Sequence, residues 1–201
     1  MSPYPIGYEA DFAEQRSRLT TFFRYFMAIP LMIVAIFYGI GLLVCTVIAW
    51  FSIMFTAKYP AGLYEFSAGA SRYLGRMSAY LRLITDVYPP FDGGEHPEYP
   101  VRISFAPPLE SYSRLKTFFR YILAIPVMLI AYALGILGNV CAFLSWVLIV
   151  ITGKQAKGLQ DALNLANAYG IRASGYYTLL VEDWPPFSVQ DASSGQPAPT
   201  A

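Results

Sequence analysis

Charge is absent from two long parts of this 201-residue chain. Tyr25 to Ala57 and Tyr121 to Gly153 are each 33 residues long without Asp, Glu, Lys, Arg or His. Only 13% of all residues are charged, against about 25% in a typical soluble domain. Each run exceeds the roughly 18 apolar residues that mark a membrane candidate. The composition therefore excludes an ordinary soluble domain and predicts an integral membrane protein.

The residues that usually carry catalysis or bind metals are also scarce. His96 is the only histidine, and the two cysteines, Cys45 and Cys141, are expected to be small buried side chains. There is no Gly-x-Ser-x-Gly, Walker or Cys-x-x-Cys motif. We predict that the protein is not an enzyme and has no cofactor or metal site. A net charge of +1 without a basic stripe also argues against nucleic-acid binding.

The chain is a tandem repeat with an offset of 96 residues. Residues 18–91 align with residues 114–187 without a gap, and 31 of these 74 positions are identical. Both copies contain Thr-Phe-Phe-Arg-Tyr, from residues 21 and 117, and end with Pro-Pro-Phe, so the similarity is not merely that of two apolar segments. The repeat predicts membrane unit 1 at 1–91, a linker at 92–98, membrane unit 2 at 99–187 and a disordered tail at 188–201.

Each apolar run is too long for one upright crossing and too short for two. A straight helix of this length is about 50 Å long, whereas the hydrocarbon core of a bilayer is about 30 Å thick. Turn-forming residues in the middle of each run favour a helical hairpin, and one tilted span per run is the alternative. The candidate hairpin tips are Gly39, Gly41, Gly135, Gly138 and Asn139. Hairpins would place all 14 Lys and Arg residues on one side, predicted to be the cytoplasm.

Other segments flank the runs in both copies. Tyr4 to Tyr8 and Tyr99 to Phe105 are β-rich and are expected to pair across the pseudosymmetry. Leu63 to Ile84 and, more weakly, Leu159 to Leu180 have apolar residues at helical spacing, which predicts amphipathic helices in the membrane surface. Second membrane spans are the alternative. The predicted fold class is an all-α integral membrane protein with two tandem repeats, each a long apolar helix or hairpin followed by an interfacial helix.

Arginines at the starts of the runs and on the amphipathic helices are candidate contacts of lipid headgroups. They are Arg24, Arg72, Arg76, Arg82, Arg120 and Arg172. Asp86 and Glu182 occupy matching positions just before the Pro-Pro-Phe motifs. We expect these carboxylates to bridge to Arg24 or Arg76 and to their copies.

Several motifs resemble a known family. The first unit contains Phe-Thr-Ala-Lys-Tyr-Pro-Ala-Gly-Leu at 55–63, Arg72 with Arg76, and Asp-Val-Tyr-Pro-Pro-Phe at 86–91. These motifs resemble the uncharacterised bacterial membrane family called domain of unknown function 4389, and the resemblance covers nearly the whole chain. The second unit drifts from the pattern, with Ala168 in place of the first arginine. The resemblance implies a membrane protein with two tandem copies of this domain in one chain. It implies no activity.

Three classes of function remain open. The first expectation is a non-catalytic membrane scaffold, whose hairpins occupy one leaflet more than the other and shape the bilayer. The alternatives are an accessory subunit of a larger membrane complex and a small transporter or channel for an apolar or lipid-like solute. The expected partners are the lipid bilayer and a membrane protein or second copy of the chain. The expected location is the inner membrane of the cell.

Overall fold

The computed structural model describes residues 4–186, and these form a mostly helical protein with two tandem copies of one unit. The elements in chain order are β1 (Ile6–Ala10), α1 (Arg18–Phe22), α2 (Arg24–Met27), α3 (Ile29–Thr56), α4 (Ala61–Leu81), β2 (Val101–Phe105), α5 (Arg114–Phe118), α6 (Arg120–Thr152) and α7 (Lys157–Tyr177). The predicted disordered tail at 188–201 lies outside the described residues.

Both apolar runs form continuous helices, so the prediction of helical hairpins is wrong. The predicted tips all lie inside α3 or α6: Gly39, Gly41, Gly135, Gly138 and Asn139. An unbroken helix satisfies the backbone groups along an apolar run, whereas a turn at the same place leaves some of them without partners. Gly41 serves packing instead, because a Cβ there would lie 2.6 Å from Cζ of Phe66 in α4.

The two strands pair antiparallel, as predicted, and they define a pseudo-twofold axis. Tyr8 pairs with Ile103 at the centre of this β-ribbon, and each is the middle residue of its strand. Next to the ribbon, α4 and α7 cross at the repeat-equivalent positions Gly75 and Ile171. A Cβ on Gly75 would lie 2.6 Å from Cδ1 of Ile103 and 2.9 Å from Cδ1 of Ile171. The ribbon and the helix crossing therefore lie on the same axis.

Helix α4 lies between the ribbon and α3. Tyr73 and Tyr80 on one side of α4 are buried in a cluster with Ala28 and Leu31 at the start of α3. On another side, Arg72 donates a hydrogen bond of 3.3 Å to the carbonyl oxygen of Ile103 in the ribbon. Helix α7 likewise contacts both β1 and α6. The layers are thus the ribbon, then α4 with α7, then α3 with α6, and the place of α4 and α7 in a membrane surface stays a prediction.

The segments that lead into the long helices, residues 14–22 and 110–118, cross between the copies. We call them the arms. The amide of Arg16 donates to the carbonyl oxygen of Gly153 at 2.9 Å, and the equivalent amide of Tyr112 donates to Ala57 at 2.8 Å. Each arm thus lies at the end of the other copy's long helix. The pseudo-twofold axis gives equivalent residues of the two copies the same height along the axis. Since the start of each apolar segment lies beside the end of the other, both ends of a segment have the same height. The two segments are therefore perpendicular to the axis and antiparallel to each other.

Helices α3 and α6 are long and apolar enough to cross a membrane. Only 22% of the most apolar window of each helix is buried inside the protein. The exposed positions are large apolar side chains over the whole length of both helices, as at Phe37, Phe51, Leu129 and Phe143. Water does not favour such a surface, and a continuous exposed apolar patch marks a site of contact with a membrane or a partner protein.

The two long helices end in the same left-handed backbone conformation but with different residues. The φ angle is 58° at Ala57 after α3 and 75° at Gly153 after α6. This conformation costs a residue with a Cβ about 1–2 kcal/mol and costs glycine almost nothing. We expect Ala57→Gly to raise the free energy of unfolding by about 1 kcal/mol, the greater freedom of glycine in the unfolded chain reducing the gain. Denaturant titration in detergent, followed by circular dichroism, measures the change.

The repeat supplies the control for this substitution. Gly153→Ala should lower the free energy of unfolding, because a Cβ there meets both the unfavourable φ and Nε of Arg18 at 3.2 Å. Equal effects of the two substitutions, or destabilisation by Ala57→Gly, would contradict the assignment of strain to this position.

Candidate functional site

A buried ion pair joins the start of the first long helix to the loop after α4. The side chain of Arg24 donates to the carbonyl oxygens of Tyr80 at 2.5 Å and Thr85 at 2.7 Å and pairs with the carboxylate of Asp86. Its guanidinium carbon also lies 4.5 Å from the centre of the Tyr80 ring. Arg24 is only 1% exposed, so its guanidinium is shielded from water, whereas the side chain of Asp86 is 22% exposed. The predicted bridge between Asp86 and Arg24 is confirmed.

The second copy has the same residue types and lacks the pair. Arg120 is fully buried against the ring of Tyr176, 4.3 Å from its centre, and within residues 4–186 its three guanidinium nitrogens have no hydrogen-bond partner. Glu182 instead accepts a hydrogen bond of 2.6 Å from the amide of Ser113 and lies 4.0 Å from Nζ of Lys116. The prediction of a copied bridge to Arg120 is wrong, because within residues 4–186 Glu182 binds the arm alone, whereas Asp86 binds both the amide of Ser17 in its arm and Arg24.

This difference gives opposite expectations for one substitution at equivalent positions. Arg120→Met removes a buried cation without an acceptor and should raise the free energy of unfolding by about 1 kcal/mol, the lost contact with Tyr176 offsetting part of the gain. Arg24→Met should lower it, since Asp86 and two carbonyl oxygens lose their donor. Denaturant titration of the two variants in detergent tests this. Destabilisation of similar size in both would show that Arg120 has an effective partner.

Most of the arginines predicted to contact lipid headgroups lie inside the protein. At 0–2% exposure, four of them cannot reach a headgroup, and the prediction is wrong for Arg24, Arg76, Arg120 and Arg172. Arg76 donates to the carbonyl oxygen of Gly94 in the linker at 2.6 Å. Arg72 lies near the surface on the ribbon side, where it pairs with Glu95 of the linker at 2.8 Å. These two arginines bind a backbone carbonyl oxygen and a carboxylate of the linker instead of lipid headgroups.

Arg82 has a different environment, because it lines a cavity between the two copies. This junction cavity has a volume of about 610 Å³ and lies between α2, the end of α4 and the middle of α6. Within residues 4–186, the guanidinium of Arg82 makes no described hydrogen bond or ion pair. Partial burial lowers the pKa of Arg82, and the nearby Tyr8 opposes this shift. A cationic group is therefore held in a partly dry space without an anion.

The walls of the junction cavity are amphipathic. Asn139 and Ser78 lie with Arg82 in its lining and supply polar groups. The rest of the lining is mainly apolar and aromatic, from α2, α4 and α6: Tyr25, Met77, Leu81, Ala142, Phe143 and Trp146. Phe143 and Tyr25 are each 64% exposed on the apolar outer surface, so the cavity borders that surface.

Arg82 lies beside a close contact between α6 and α7. A Cβ on Gly138 in α6 would lie 2.9 Å from Cβ of Ala166, so the absence of a side chain lets α7 pack closely against α6, and Cζ of Arg82 lies at ordinary contact distance, 3.6 Å from the same point. The sequence identified Gly138 and Asn139 as notable but assigned them to a turn. It gave no signal for Ser78, Met77 or Trp146 as one site, because these residues come from separate elements.

The surroundings of the cavity carry excess positive charge. Arg16 donates to the carbonyl oxygen of Ile84 at 2.7 Å, so it lies in the same loop region as Arg24 and Arg82. Asp86 is the carboxylate that pairs with these cations in the described part of the chain. Three arginines against one carboxylate leave this region electropositive.

The comparisons with known proteins agree with the duplicated architecture. No curated protein and no solved structure matches the chain. A family model matches residues 18–92 and again residues 114–188. The two matches cover most of the chain and coincide with the two helical units. The chain therefore belongs to the family described as Domain of unknown function (DUF4389), of which it contains two tandem copies.

Proposed function

We propose that the protein is a non-catalytic scaffold inserted into a membrane from one side, with α3 and α6 lying in one leaflet. The observation that supports the proposal best is that both ends of each long helix have the same height along the pseudo-twofold axis. Because each arm binds the end of the opposite long helix, both ends of each apolar segment lie at one level along the pseudo-twofold axis. With this axis along the membrane normal, neither segment crosses the bilayer, and both present their apolar surface to the same leaflet.

The charges of the ribbon support this orientation. Arg102 pairs with Glu9 at 3.2 Å and with Asp11 at 2.8 Å, and the two carboxylate side chains are 45% and 58% exposed. In the alternative arrangement, α3 and α6 cross the bilayer in opposite directions, and the axis lies in the bilayer midplane. The ribbon lies on that axis, so its charges would be at membrane depth, where each costs about 2.5–3.5 kcal/mol. One-sided insertion keeps them in water.

One-sided insertion also places the lysines at both helix ends beside the headgroups of the same leaflet. Lys116 and Lys154 are more than half exposed and lie at the start of one segment and at its end. Such residues are well suited to phosphate-rich headgroups beside an apolar helix. The positive-inside rule then places the polar layers in the cytoplasm. Two antiparallel helices in one leaflet increase the area of that leaflet alone. The difference in area between the leaflets bends the membrane.

Labelling of two repeat-equivalent positions tests the orientation. Lys58 and Lys154, each just after a long helix, are replaced singly by cysteine in a Cys45→Ala/Cys141→Ala background. Intact cells are treated with a membrane-impermeant thiol reagent before and after lysis. One-sided insertion predicts that neither position reacts in intact cells and that both react after lysis. Reaction of one position alone from outside means that the helices cross, and it overturns the proposal.

Reconstituted vesicles test the scaffold role. The purified protein, added to one side of anionic liposomes, should insert and produce tubules or smaller vesicles in electron micrographs. Ile40→Lys with Ile136→Lys changes equivalent side chains, 57% and 50% exposed, on the apolar surfaces of α3 and α6. This variant should keep its fold by circular dichroism and lose the deformation, because charge opposes burial in the leaflet. Unchanged vesicle shape with inserted native protein would refute membrane shaping.

A further inference from the structure

We propose that the junction cavity binds one anionic amphiphile per chain, a lipid-like molecule with an acyl chain and a negatively charged headgroup. The role goes beyond scaffolding, because it makes the protein a specific receptor or carrier for a class of lipid. The volume of about 610 Å³ is within the range of small-molecule sites. The occupant is identified by the chemistry of the walls.

The charged part of the ligand is defined by Arg82. This guanidinium has five donors and makes no described hydrogen bond within residues 4–186. Arg24, in the same wall, already donates to two carbonyl oxygens and to Asp86. Asp86, the carboxylate of this region within residues 4–186, is thus occupied by Arg24. A phosphate or carboxylate headgroup supplies the anion that Arg82 lacks, and the amide of Asn139 is a further polar partner in the lining.

The apolar part of the ligand is defined by the remaining wall and by the route of entry. Met77, Leu81 and Trp146 offer an apolar lining of the kind that an acyl chain prefers. Phe143 connects this lining to the exposed apolar surface of α6. A ligand that arrives through lipid therefore reaches the cavity along an apolar path. A free inorganic anion makes no favourable contact with this apolar lining. The occupant is an amphiphile rather than a soluble ion.

The two copies differ at the polar residues and at the glycine of the junction cavity. Arg82 corresponds to Thr178, Asn139 corresponds to Leu43, and Gly138 corresponds to Leu42. The second copy of the junction keeps Arg120, the equivalent of Arg24, and lacks the counterparts of Arg82, Asn139 and Gly138. This difference predicts a single site per chain.

Quenching of one tryptophan tests the proposal. The full chain with Trp50→Phe and Trp184→Phe keeps Trp146, in the cavity wall, as its only tryptophan. In a neutral detergent, it is titrated with dibrominated phosphatidic acid or with dibrominated phosphatidylcholine. The acidic lipid should quench Trp146 saturably, at one molecule per chain, and with at least about tenfold preference over the neutral lipid, because a hydrogen-bonded charge pair has that effect on affinity.

Variants separate the site from general charge attraction. Arg82→Gln should abolish the preference, whereas Arg114→Gln, which removes one charge from the arm outside the cavity, should keep it. Ala142→Phe fills the cavity without changing charge and should prevent saturable binding even where Arg82 is intact. Circular dichroism confirms the fold of each variant. Equal effects of Arg82→Gln and Arg114→Gln, or retained binding in Ala142→Phe, would overturn the proposal.

A competition experiment distinguishes the source of the anion. Inorganic phosphate should not displace the acidic lipid, and a short-chain lipid phosphate should. Displacement by inorganic phosphate alone would mean that the cavity takes a free anion, which contradicts the proposal. Binding in detergent is independent of the orientation in a bilayer. Failure of this experiment therefore leaves one-sided insertion standing, and failure of the cysteine labelling leaves the lipid site standing.

Discussion

Replacing Asp86 with asparagine is expected to lower the free energy of unfolding by about 3 kcal/mol, because it leaves the Arg24 guanidinium buried without its anion. Arg24 is 1% exposed, and two backbone carbonyl oxygens cannot neutralise its charge. Asp86 also accepts a hydrogen bond of 3.0 Å from the amide of Ser17, so the substitution weakens the anchoring of the arm as well. Denaturant titration in detergent, monitored by circular dichroism, gives the loss.

The second copy provides a matched control for this result. Glu182→Gln changes the equivalent carboxylate, which binds Ser113 and lies near an exposed lysine, and it should cost less than about 1 kcal/mol. The double variant Arg24→Met/Asp86→Leu, which removes both charges, should recover part of the loss caused by Asp86→Asn. Similar losses for Asp86→Asn and Glu182→Gln would contradict the assignment of the buried pair to one copy.

Replacing Gly75 with valine is expected to lower the free energy of unfolding by about 3 kcal/mol, through overpacking at the centre of the molecule. A Cβ at this position would lie 2.6 Å from Cδ1 of Ile103 and 2.9 Å from Cδ1 of Ile171. These methyl groups belong to the ribbon and to α7, so a larger side chain pushes three elements apart at once. Hydrogen exchange should show lost protection in β2 as well as a lower global stability.

A glycine one position from the crossing in the other copy serves as the control. A Cβ on Gly170 in α7 would meet no atom within 4 Å. Gly170→Val should therefore be neutral or slightly stabilising, because valine has a better helix propensity than glycine by a few tenths of a kcal/mol. If both valine variants lose similar stability, the close packing of Gly75 is not the cause.

The sequence predicted the elements that depend on local pattern and on duplication. The strands pair as expected, with Tyr8 opposite Ile103, because two copies of one strand placed across a pseudo-twofold axis can satisfy each other's backbone groups. The bridge between Asp86 and Arg24 also followed from matching charges at matching positions. The absence of this bridge in the second copy did not follow from the sequence. Both carboxylates accept a hydrogen bond from the equivalent arm amide, of Ser17 or Ser113, but Glu182, one methylene group longer, does not also bind Arg120.

Two kinds of expectation failed for a common reason. The glycines of the apolar runs permit a turn, but the same residues permit close helix packing, as Gly41 does with Phe66. Arginines on a helix face favour a lipid surface, but they equally favour carbonyl groups at the end of another helix. Arg24 reaches the carbonyl oxygens of residues 56 and 61 positions away in the chain. A local pattern contains no information on which of these partners will be near.

The sequence alone determined the duplication, the two apolar segments and the strand pairing, because each depends on composition or on comparison of the chain with itself. The tertiary structure decided that both segments are unbroken helices, that four arginines are inside and that Arg82 faces a cavity between the copies. These outcomes depend on which surfaces meet across the pseudo-twofold axis. The free energy of a buried charge depends on partners that are distant in sequence. These partners can therefore be identified only in the folded structure.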